Sequence, residues 1–107
     1  MFEIVRYQRE DDAEPYTDWF RRLRDAMAKT AISKRLRRIE TGNFGDCKPV
    51  GEGVSELRID VGPGYRIYFG FRGTALVVLL CGGDKSSQER DIVTAKAHWT
   101  DWKRRQP

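Results

Sequence analysis

Histidine and cysteine are scarce in this chain: His98 stands alone, and Cys47 and Cys81 are far apart. A structural zinc site needs about four nitrogen or sulfur ligands, so no metal and no cofactor is expected, and no CxxC pair offers redox chemistry. Long apolar runs are lacking too. The longest, Ala75 to Cys81, falls far short of the roughly 20 residues that cross a bilayer. Met1 to Arg6 carry no charged leader followed by an apolar stretch, so no export signal is expected and the cytoplasm is the default address. Repeats, linkers and low-complexity segments are absent, and 107 residues suffice for one domain, expected over residues 1–107.

What the chain has is charge. Hydrophobic residues at 39% and charged residues at 34% describe a folding globular chain rather than a disordered one. Twenty basic residues against sixteen acidic ones leave a net charge of +4. That balance favours a polyanionic partner, either nucleic acid or a strongly acidic peptide.

Periodicity supplies the elements. Phe2 to Tyr7 alternate as a strand. Glu10, Asp11, Asp12 and Glu14, with Pro15, mark the positive end of a helix whose apolar face is Tyr16, Trp19, Phe20 and Leu23. After a break near Asp25, a second helix carries Ala28, Ile32, Leu36 and Ile39 as its stripe, with Lys34, Arg35, Arg37 and Arg38 expected on the wet side. Thr41 to Gly45 ends it, and the two helices are expected to pair as an antiparallel hairpin. The period then becomes two. Leu57, Ile59 and Val61 share one face, opposite Glu56, Arg58 and Asp60. Beyond a turn at Gly62-Pro63-Gly64, Tyr65, Ile67, Phe69 and Phe71 share a face opposite Arg66 and Tyr68. Past a second turn at Arg72-Gly73, Ala75 to Cys81 reads as a strand buried on both faces, which Gly82 to Lys85 is expected to break. Ser86 to Glu89 has capping-box spacing, and the last helix buries Ile92, Ala95, Trp99 and Trp102. The order β-α-α-β-β-β-α predicts an α+β fold with helices packed on a small, largely antiparallel sheet.

The candidate site lies on the polar face of the central hairpin, expected to be solvent-exposed. A turn centred at Pro63 pairs Arg58 with Tyr68 and Asp60 with Arg66. Glu56 lies beside them, Lys48 comes from the loop before the hairpin, and Lys85 from the loop after the last strand. Such a cluster suits cleavage of RNA by its own 2′-hydroxyl: cations stabilise the phosphorane, and a tyrosine or lysine with a lowered pKa moves protons. Charged residues on exposed hairpins are otherwise usually just solvated. Trp99 and Trp102 read as core, His98 as surface, and both cysteines as inert. Gly82 to Ser87 offers an anion nest without the full P-loop spacing.

Gly53 to Ile59, Gly62 to Phe69, Leu80 to Gln88, Asp91-Ile92, Ala95-Lys96 and Asp46 to Pro49 together resemble the RelE/ParE superfamily, in particular its HigB-like branch of addiction-module killer proteins. The resemblance covers essentially the whole chain. It implies the toxin of a type II toxin–antitoxin system. The activity implied is that of a ribosome-dependent mRNA endoribonuclease, neutralised by a cognate antitoxin. By position it implies that Arg66 stabilises the scissile phosphate and that Arg58 is the basic catalytic residue. Lys48 and Lys85 would supply further cations to bind the RNA phosphate and act in catalysis, with Tyr68 as a further catalytic candidate and Glu56 orienting Arg58. Its implied partners are the antitoxin, mRNA on the ribosome, and operator DNA only through the antitoxin complex, with no membrane. Two departures bear on mechanism. RelE itself has a tyrosine near its end, whereas no tyrosine follows Tyr68 here. Where RelE has two lysines on the first hairpin strand this chain has Glu56 and Arg58, and arginine is a poor base because it stays protonated. Lys48 or Lys85 is then the expected acceptor, unless the ribosome does more of that work or cleavage is slow. The alternatives are a ParE-like gyrase poison without nuclease activity and a catalytically inactive antitoxin-binding co-repressor; the cationic cluster favours the nuclease. An acidic antitoxin segment is expected to cover the basic hairpin face or the basic last helix.

Overall fold

Apolar residues on both faces of one sheet decide the architecture. The computed structural model describes residues 1–106. It places β1 (Glu3–Arg6), α1 (Pro15–Arg22), α2 (Ala26–Glu40), β2 (Cys47–Gly51), β3 (Val54–Ile59), β4 (Tyr65–Arg72), β5 (Leu76–Asp84), a 3-10 turn (Lys85–Ser87) and α3 (Gln88–Arg104) in that order. The strands form one mixed sheet, β1-β5-β4-β3-β2, with β1 parallel to β5 and every other pair antiparallel. One face carries Leu57, Ile59, Ile67, Phe69, Val77 and Leu79 under α1 and α2. The other carries Val54, Tyr68, Val78, Leu80 and Cys81 under α3. The α+β expectation holds, and the sheet sits between two helical layers. Among the described residues, no helix is long and apolar enough to cross a membrane.

Local chemistry explains most boundaries. Pro15 opens α1, and the Asp25 carboxylate caps α2 by accepting from the Ala28 amide at 3.1 Å. The two helices do not pair chiefly with each other: α1 lies on β5 and α2 leans on β3. The sequence reading also lacked a strand. Cys47–Gly51 forms β2 at the sheet edge, where Pro49 is tolerated. Nor does β5 break at Gly82; it runs on to Asp84. A bulge beside Tyr68 and Phe69 shifts its phase, so Leu80 and Cys81 both serve the α3 layer. The capping box does not form. Asp84 caps the 3-10 turn by accepting from the Ser86 amide, while the Ser87 hydroxyl bonds to the Asp91 carboxylate at 2.5 Å.

Gly82 and Gly83 are required for close approach rather than for a turn. A Cβ on Gly82 would overlap the Trp19 indole of α1, and one on Gly83 would overlap the Asp91 carboxylate of α3. These neighbouring residues seat both helical layers. At the far end of α3, the Tyr7 hydroxyl donates to Asp101 at 2.6 Å, and Arg104 and Arg105 pair with the same carboxylate. His98 is half-buried, stacked on Tyr7 with 4.6 Å between ring centres, and is not the surface residue expected.

Gly82→Ala is expected to lower stability by about 1–3 kcal/mol, the usual cost of overpacking, read as a reduced urea midpoint. An unchanged midpoint would mean that α1 does not rest on β5 as described. The Asp101 carboxyl is held down at about 2, first by the Tyr7 hydrogen bond and then by Arg104, against its ordinary 3.8. Its stabilising contribution is therefore complete above about 4 and disappears as the pH falls toward 2. Asp101→Asn should flatten that acid limb in thermal melts taken between pH 2 and pH 5.

Candidate active-site cleft

Alternation in β3 and β4 sends Glu56, Arg58, Arg66 and Tyr68 to the same face, but with other partners than the sequence reading gave. The pairs are Glu56 with Tyr68 and Arg58 with Arg66, two residues away from the expected register. The correction has a physical cause: the loop is centred on Gly62, whose φ of +55° and the +81° of Gly64 shape a longer turn. A slip of two keeps every side chain on its face. It brings the two arginines side by side.

The face is also not open to solvent along its length, because α3 covers it. Glu56 and Tyr68 are both 0% exposed. One Glu56 oxygen accepts from Arg58 Nε at 3.2 Å. The other accepts from the Tyr68 hydroxyl at 3.1 Å and from Gln88 Nε2 at 2.8 Å, with Arg66 Nε at 3.5 Å. That Arg66 nitrogen is buried with no hydrogen-bond partner among the described residues, while Nη1 donates to the Gly64 carbonyl. Burial first, then the negative charge and hydrogen bond of Glu56, push the Tyr68 phenol well above its ordinary value. A phenol so placed donates to Glu56 and does not titrate near neutrality.

Beyond the start of α3 the same face opens into a cleft of about 370 Å³ walled by Arg58, Arg66 and Lys85 together with Asp46 and Asp60. Three of the four expected cations therefore meet. Lys48 does not join them: it lies on β2, not in a loop, directly across from Glu56 and exposed. Asp84, at the end of β5, has its carboxyl lowered by the Ser86 hydrogen bonds and, to a lesser extent, by Arg66.

Several contributors escaped the sequence reading. Gln88 is the contact from α3 that seals Glu56. Asp46 lines the cleft beside Asp60, and its carbonyl accepts from the Arg58 amide at 3.0 Å. Arg35 is not on the wet side of α2. Its guanidinium donates to the carbonyls of Arg58 at 2.5 Å, Phe44 at 3.0 Å and Asp46 at 3.2 Å, bracing β3 from behind. The signal was present, since Arg35 follows Ile32 by three and precedes Ile39 by four, which puts it on the buried stripe.

A family model described as phage-derived protein Gp49-like (DUF891) matches residues 18–100. A relative in Haemophilus influenzae, described as an uncharacterized protein, is 49% identical over 81 residues, covering 76% of this chain and 82% of its own length. The family match spans every residue of the cleft and the Glu56 network.

Glu56→Gln should destabilise the protein by about 2 kcal/mol, less than the 3–5 of a fully buried pair because Arg58 still reaches water. Tyr68→Phe should cost about 1 kcal/mol, the net worth of one hydrogen bond. Urea titrations measure both. Equal loss in the two variants would mean that the charge of Glu56 is not what the site requires.

Proposed function

The chain belongs to the phage-derived Gp49-like family, a RelE/ParE-like toxin family, and from that membership we propose that it is the toxin of a toxin–antitoxin pair, acting as a ribosome-dependent mRNA endoribonuclease restrained by a cognate antitoxin. One observation carries the reading. A fully buried carboxylate, Glu56, fixes Arg58 and Arg66 at the mouth of a cleft whose rim is completed by Lys85.

The chemistry follows from that arrangement. A 2′-hydroxyl attacks the adjacent phosphorus and the 5′-oxygen leaves, giving a cyclic phosphate. Charge grows on the non-bridging oxygens in between. Arg66, with donor capacity unspent, and Arg58 face that charge, and Lys85 adds a third cation from the rim. Arginine does not accept the 2′ proton. The groups in the cleft able to take it are the carboxylates of Asp46 and Asp60 and the amine of Lys85. Tyr68 serves as a positioning residue: buried and donating to Glu56, it keeps the carboxylate aimed at the arginines. The ribosome supplies alignment of the message.

The test adds purified protein to ribosomes translating a defined message and maps cuts by primer extension, with ribosome-free message and Arg66→Ala run in parallel. Cuts should require ribosomes and fall by about 10²–10³ in the variant, the loss expected for one transition-state donor. Intact message with both proteins would overturn the nuclease reading, and replication arrest under those conditions would favour a gyrase poison.

A further inference from the structure

A second cleft, remote from Glu56, is built from aromatic rings and unspent positive charge. It lies between the turn joining β4 to β5 and the last turn of α3, has a volume of about 310 Å³, and is lined by Arg72, Trp99, Trp102, Lys103 and Gln106 among others. The two indoles stack with their centres 5.3 Å apart and planes within 8°. The Arg72 guanidinium lies 5.5 Å from the centre of the Trp102 ring, and the Lys103 ammonium 5.5 Å from that of Trp99.

Two features define what fits. Neither Arg72 nor Lys103 has a carboxylate within 4 Å among the described residues, whereas the adjacent Arg104 and Arg105 are engaged by Asp101. Both unpaired cations are exposed. The rings, in turn, have spent their faces on each other and on the cations. A nucleobase needs a free π-face to stack on; an aliphatic or aromatic side chain needs only an apolar slot. We infer that this cleft is a docking site for a peptide segment bearing one apolar anchor flanked by acidic residues. The anchor enters beside the indoles and the carboxylates pair with Arg72 and Lys103. That the segment belongs to the antitoxin rests on the toxin reading; the chemistry of the site does not.

The probe is a fluorescein-labelled twelve-residue peptide of alternating Asp and Glu with a central Leu, titrated into the full chain by anisotropy while indole emission is followed. Saturable binding is expected, about tenfold weaker for the double variant Arg72→Glu/Lys103→Glu and for a peptide with Ser in place of Leu. Both substituted positions are exposed, so circular dichroism should show an unchanged fold. Equal binding by the double variant, no saturation up to about 1 mM, or competition by a short single-stranded RNA in place of the Leu peptide would each overturn the proposal. Growth arrest on expression separates the two readings. Wild type that binds the peptide but arrests nothing sinks the toxin reading alone. Arrest by both proteins, relieved equally by co-expressed antitoxin, sinks the assignment of this cleft to the antitoxin.

Discussion

A carboxylate buried to 0% exposure between a sheet and a helix must be compensated or neutralised, since desolvating one charge costs several kcal/mol. Glu56 is compensated from three elements at once: Arg58 on its own strand, Tyr68 and Arg66 on β4, and Gln88 at the head of α3. Between this contact and the Tyr7–Asp101 hydrogen bond at its far end, α3 rests on the sheet chiefly through apolar contacts, which alone tolerate sliding. A displacement of α3 by one turn would take Gln88 away and leave the carboxylate short of a donor. The polar contact therefore sets where α3 begins, and with it the position of Lys85 on the preceding turn.

The same group resolves a conflict within the sheet. Arg58 and Arg66 are directly paired across β3 and β4, and like charges in that position repel. Glu56, two residues along β3, lies within 3.5 Å of a nitrogen from each. The arginines can then be adjacent without a ligand present, which is the preorganisation that charge stabilisation in a transition state requires. Arg35 supports the arrangement from the opposite layer by holding the Arg58 carbonyl. One anionic pin and one cationic brace thus act on the same strand from its two sides.

Much of this was legible in the chain. Six of the eight strands and α-helices among the described residues announce themselves by period, and the residues of the polar face were identifiable because a two-residue slip in register preserves faces. The partners on that face were not, since turn length depends on the left-handed backbone at Gly62 and Gly64 rather than on composition. β2 was hidden by Pro49 and Gly51, residues that argue against strands except at an edge. β5 was cut short because Gly82 and Gly83 look like punctuation, whereas here they make room for Trp19 and Asp91. The larger miss was burial. Alternation says that two faces differ, not that a helix covers the polar one. The apolar stripe of Ile92, Ala95, Trp99 and Trp102 and a β5 apolar on both sides were the available signs that it does.

The cleft itself has no excess of positive charge. Arg58, Arg66 and Lys85 are matched in number by Glu56, Asp46 and Asp60. Opposite charges so close cancel beyond a Debye length of about 8 Å at physiological salt, so in the proposed reaction the cleft would orient a phosphodiester already seated there and do little to draw RNA in. The net +4 resides elsewhere. Residues 14–40, which contain α1 and α2, hold eight basic against four acidic residues, an excess equal to that of the whole chain. Attraction and alignment are then assigned to different layers of the molecule. Under the proposed nuclease reading, a chain organised this way would gain little from free message in dilute solution and would need a larger anionic body to deliver the scissile bond.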